Sequence, residues 1–203
     1  MSTTADPFRK ILLFALLVPF LILISWIGYH ETRTPQNQEE VLTREIALLR
    51  EGRFDRAAKV IQFWLRDSRR DISHDGLLYD QMAMIYVAKA YKRPLSREES
   101  IHQAELNLEQ SLRLFDLQNQ NDLSLDLFEI GGKYELLGDI SDKDKCRLYE
   151  KARTLLLRQL PIIRGDSYTA YGKTIPLEPV RADVRKHLDA VNDKSLKSGC
   201  GVR

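Results

Sequence analysis

Residues 47–64 read ALLREGRFDRAAKVIQFW, and this stretch decides the fold. A helix runs up to Gly52, the one residue here that takes a left-handed cap without penalty. A second helix starts at Phe54. Ala57, Ile61 and Trp64 then recur at spacings of 4 and 3, which puts them on one face. The small pair Ala57 and Ala58 lets the two helices approach closely. This is a helical hairpin that cannot bury its apolar face alone, so it needs neighbours of the same kind.

Such neighbours follow. Residues 127–139 read LFEIGGKYELLGD, with Leu127, Gly131, Tyr134 and Gly138 at intervals of 4, 3 and 4. Gly138 is expected to cap this helix at positive φ. Residues 145–152, KCRLYEKA, supply the second helix, with Tyr149 and Ala152 as a large–small pair. Between these units Tyr79, Met82, Ala83 and Tyr86 fit a first helix, and Ala104, Leu108 and Ser111 a second. The connection between them looks about nine residues too long. From 38 to 160 only Pro94 interrupts the amphipathic pattern, and strand-like alternation is absent, so the fold class is all-α.

The pattern resembles the tetratricopeptide repeat, in three divergent units over residues 38–160. The resemblance implies that the first helix of each pair lines a groove for a protein segment. In that register the partner-binding residues are Leu42, Ile46 and Leu49 of the first unit, Met84 and Val87 of the second, and Phe128, Glu135 and Leu136 of the third. It also places Cys146 at a small packed position, as a buried thiol. Cys200 lies in the terminal stretch SGCGVR, and a bond between these two cysteines is left open.

Upstream, residues 11–29 read ILLFALLVPFLILISWIGY, 19 residues without a charge. As a helix this run measures about 28 Å, close to the roughly 30 Å hydrocarbon core of a bilayer. It is apolar all round and ends in Trp26 and Tyr29, which suit the headgroup layer. It is longer than the apolar region of a signal peptide and lacks a small-residue cleavage site. A single transmembrane helix that stays attached is expected. Arg9 and Lys10 precede it, so residues 1–10 form a cytoplasmic lead and the rest is exported. In a bacterium that places a single-pass protein in the inner membrane with its bulk in the periplasm.

Residues 30–37 make a polar linker. Residues 161–191 read as a loop and a capping helix, with Val180, Val184, Leu188 and Val191 on one face. Residues 192–203 read as a polar tail.

Composition excludes several classes. Thirty-one Lys and Arg against 29 Asp and Glu leave a net charge of +2, too balanced for a dedicated nucleic-acid binder. Two cysteines exclude a disulfide-dense scaffold or a four-cysteine zinc site. None of the four histidines pairs with another at ligand spacing, and His102 with Glu98, Glu99 and Glu105 reads as a solvated helix face. Gly172-Lys173-Thr174 is not a phosphate loop, because Ser167 stands where its first glycine belongs and Pro176 where a helix should follow. Gly165-Asp166-Ser167 lacks the strand an esterase block needs. No catalytic residue, cofactor or metal site is expected. What remains is a membrane-tethered scaffold or adaptor for protein–protein interaction. The alternative is a permanent accessory subunit of a large respiratory or photosynthetic membrane complex.

Overall fold

The computed structural model describes residues 35, 37–67, 72–118, 123–163, 165–170 and 173–201. The chain divides into two units, Met1–Gln36 and Asn37–Arg203. Apart from Pro35, the first unit lies outside the described residues, and with it the expected span at 11–29. Among the described residues no helix is long and apolar enough to cross a membrane.

The second unit is helical. Helix α1 (Gln38–Arg50) starts where the Asn37 side chain accepts the Glu40 N–H at 2.8 Å. It ends in a Schellman turn. Gly52 has φ 70°, its N–H donates to Leu49 O, and the Arg53 N–H donates to Leu48 O at 2.8 Å. Helix α2 (Phe54–Leu65) follows at once and buries Phe54, Ala57, Ala58, Ile61 and Trp64.

Helices α3 (Asp75–Lys92) and α4 (Arg97–Gln118) form the second pair, joined by Arg93 and a short 3-10 turn, Pro94–Ser96. The surplus residues expected in a long connection are therefore helix. Gly76 makes the approach possible, since a Cβ there would lie 2.9 Å from the Phe115 ring. The Ser111 hydroxyl donates to the Gly76 carbonyl at 2.8 Å.

Helices α5 (Leu123–Ile140) and α6 (Lys145–Gln159) form the third pair. Gly138 does not cap α5. The glycines at positive φ among the described residues are Gly52, Gly165 and Gly199. Gly138 sits inside the helix, where a Cβ would come within 2.6 Å of the Tyr149 ring. Its role is close packing rather than a turn. Gly131 does the same more loosely, with Leu156 at 3.3 Å.

The expected loop after α6 contains a two-stranded antiparallel hairpin. Strand β1 (Ser167–Ala170) pairs with β2 (Lys173–Pro176), Tyr168 opposite Ile175 and Thr169 opposite Thr174. The β-branched and aromatic content of these eight residues suits paired strands. Helix α7 (Leu177–Lys197) follows directly. Pro179 fits in its first turn, where a missing N–H costs nothing. The polar tail expected from Asn192 is helix as far as Lys197. Gly199, at φ 74°, then closes a second Schellman turn, with Cys200 N–H donating to Ser195 O at 3.0 Å. Cys200 is thereby turned back and bonded to Cys146, with Cα atoms 5.3 Å apart. The buried thiol expected at Cys146 is instead half of a disulfide on an exposed residue.

Charged pairs show how the hairpins stack. Arg147 meets Glu105, Lys151 meets Glu109 and Arg158 meets Asp116, each pair 42 residues apart. A constant offset means that α4 and α6 run parallel and in register. Helix α7 stands to α5 in the same way: Phe128 packs on His187, and Glu135 accepts from Lys194, 59 residues on in both cases. Lys133 of α5 reaches back to Asp80 of α3 at 2.6 Å. The core forms two clusters. One joins α1, α2 and a side of α3; the other joins the opposite side of α3 to α4 through α7.

Candidate partner-binding face

Helix α3 takes part in both core clusters, so most of its circumference is buried. The residues it leaves exposed are Leu77, Met84, Tyr91 and Lys92. The first three are seven residues apart, which aligns them along one side of the helix at steps of about 10 Å. Gln81 and Ala88, half-buried, fall on the same side. A helix in contact with water usually turns charged or polar residues outward. This one turns out an apolar row, with relative exposures of 42% for Leu77, 37% for Met84 and 46% for Tyr91. Ile46 on α1 and Leu136 on α5 are also exposed large apolar residues. The second helices carry such residues as well, Phe63, Leu106 and Leu157, so it is the aligned row of three that sets α3 apart.

The residues expected to bind a partner divide accordingly. Ile46, Met84 and Leu136 are exposed, and Leu42 and Leu49 are half-buried, Leu49 packing on the first core cluster. Val87 is buried in the second cluster and is corrected to core. Phe128 and Glu135 are corrected to contacts with α7. The Phe128 ring meets His187 edge-on at 4.9 Å, and Glu135 accepts from Lys194 at 2.7 Å and lies 3.3 Å from His187 Nδ1. The physical reason is that α7 lies parallel to α5 and covers this side of it. Leu77 and Tyr91 were not singled out from the sequence. Their seven-residue spacing about Met84 was the available signal.

The polar groups on α7 and α5 are mutually engaged. Lys194 bridges Glu135 and Asp139, both at 2.7 Å, and the Tyr149 hydroxyl donates to Asp139 at 2.9 Å. Burial, with that bond to a carboxylate, pushes the Tyr149 hydroxyl up to about 12. Between α4 and α6, burial pushes the Glu105 carboxyl up, but hydrogen bonds from Arg147 and Lys151 outweigh it and hold the group below its ordinary value. Beside this pair lies a cavity of about 370 Å³. Leu112, Tyr134 and Leu155 line it, with Glu109, Arg147 and Lys151 among its charged residues. Those three charges are already paired with one another or with Glu105, so the cavity offers an apolar floor rather than a free charge.

His102 is exposed on α4, and the nearby Glu105 is taken by Arg147 and Lys151. Among the described residues no group of three His, Cys, Asp or Glu could hold a metal ion. No family model, no curated protein and no solved structure matches this chain.

Proposed function

We propose that this chain is a membrane-tethered adaptor of the tetratricopeptide-repeat kind, held in an extracytoplasmic compartment, and that it binds an apolar segment of a protein partner rather than catalysing a reaction. The observation that carries this reading is the row Leu77–Met84–Tyr91. A row of large apolar side chains on the exposed side of an otherwise buried helix is a surface that gains free energy when covered. The constant offsets between α4 and α6, and between α5 and α7, support a stack of like units. The Cys146–Cys200 bond supports an oxidising compartment, where such bonds persist. The charge-free run at 11–29 supports the tether.

The alternative, a permanent subunit of a large membrane complex, is favoured by one observation. Three of the four exposed residues of α3 are apolar, as suits a face that is covered throughout the life of the protein. Extraction of the full chain in mild detergent, followed by native electrophoresis and mass spectrometry, separates the two. Comigration with a large complex in fixed stoichiometry supports the subunit. Exchange among several partners supports the adaptor. A monomer without partners contradicts both.

A further inference from the structure

We infer that the Cys146–Cys200 disulfide is an exchangeable clasp, opened by an external dithiol, which controls the last turns of α7 and not the helix as a whole. Three observations carry this. Cys146 is an exposed residue, while Cys200 is only 7% exposed, so the Cys146 side of the bond is the more open to an incoming thiolate. Cys146 is the second residue of α6, between Lys145 and Arg147, where the helix N-terminus and the neighbouring cations favour a thiolate, so that Cys146 is a ready leaving group when the mixed disulfide is resolved. Asp144 is drawn to Arg147 at 3.3 Å.

The third observation concerns what else holds α7. Val184 and Val191 are fully buried in the core and fix the helix up to that point. Beyond Val191 the chain is held by Lys194 on Glu135 and Asp139, by a side-chain hydrogen bond between Ser198 and Tyr149, and by the disulfide. Of the two ion pairs, Lys194–Asp139 is exposed and holds weakly, while Lys194–Glu135 is part-buried. The clasp is the covalent restraint on residues 192–200 and backs up these polar contacts.

In the exchange, a thiolate of the dithiol attacks Cys146 Sγ and the Cys146–Cys200 bond breaks. Cys200 leaves as a thiolate and takes a proton. The second thiol of the dithiol then attacks the mixed disulfide and releases Cys146. The dithiol is oxidised to a disulfide by two electrons, and the two cysteines of this chain are reduced. Freed of the clasp, the end of α7 withdraws Lys194 and uncovers Glu135 and Asp139.

This inference rests on the extracytoplasmic reading only for which dithiol the protein meets in the cell. The test uses the purified full chain in detergent micelles. The probe is a thioredoxin-fold Cys-X-X-Cys protein whose second cysteine is serine, so that the mixed disulfide accumulates. The expected result is a trapped mixed disulfide on Cys146, formed without denaturant. Trapping on Cys200, or reduction only after the domain unfolds, overturns the proposal. After reduction by dithiothreitol, amide exchange should rise beyond Val191 and stay slow before it. Fast exchange along all of α7 overturns the clasp as well. In Cys200→Ala, Cys146 should alkylate about tenfold faster than a peptide cysteine at neutral pH, and an equal or slower rate contradicts the inference. None of these outcomes depends on membrane topology, which protease protection of the C-terminal unit reports separately.

Discussion

Glycine 138 shows how one residue sets an interface. Its missing side chain is the space into which the Tyr149 ring packs. Gly138→Ala should overpack that contact and destabilise the domain by about 1–3 kcal/mol, measured by denaturant unfolding. Adding Tyr149→Leu to that variant should recover part of the loss, because the two changes share one contact. Glu45 is another such residue. It lies on the buried side of α1, 2% exposed, and burial raises its carboxyl to about 7. The folded state therefore holds this proton more tightly than the unfolded chain does. The stability it contributes is full below the unfolded value of 4.5 and is lost as pH rises through about 7. Glu45→Gln should leave the Tm unchanged near pH 4. By pH 8 it should raise stability by up to about 3 kcal/mol, seen in thermal melts across that range. The pair Asp80–Lys133 behaves differently, because both members are buried and bonded at 2.6 Å. Lys133→Met strands the Asp80 carboxylate and should cost about 3 kcal/mol or more, whereas the double change to two apolar residues should cost much less.

At the scale of elements, the sequence made α1, α2, α5 and α6 readable through glycine and apolar spacing. It misled where a residue type has two uses. Gly138 reads as a cap because glycine commonly ends helices, yet here it serves close approach. The connection between α3 and α4 reads as too long because KRPLSREES is polar, but its residues from Arg97 on are the first turn of α4. The end of α7 reads as a tail because, after Val191, no buried apolar residue follows until Cys200. Its second Schellman turn is visible only with Gly199 read as a cap. Gly199→Ala should strain that turn and loosen the approach of Cys200 to Cys146. The expected loss is about 1 kcal/mol, with a larger fraction of free thiol after folding. The exposure of the residues expected to bind a partner is half legible for a related reason. The repeat register names one side of each first helix, but it does not contain α7, which covers that side of α5 at Phe128 and Glu135.

At the scale of the described domain, α4 and α6 run in parallel register, and α7 stands beside α5 in the same way. Among the described residues, α7 covers one side of α5, and α3, between the two core clusters, keeps its apolar row exposed. The proposal that this row is where a partner docks is tested most directly by site-specific photocrosslinking. A crosslinker replaces Met84 in the full-length protein in its native membrane, with Leu157 of α6 as an equally exposed apolar control. The expected result is a discrete protein adduct from position 84, absent from position 157 and lost when Leu77 and Tyr91 are changed to Glu in a chain that still melts cooperatively. Equal adducts from both positions, or none from position 84, would contradict the account.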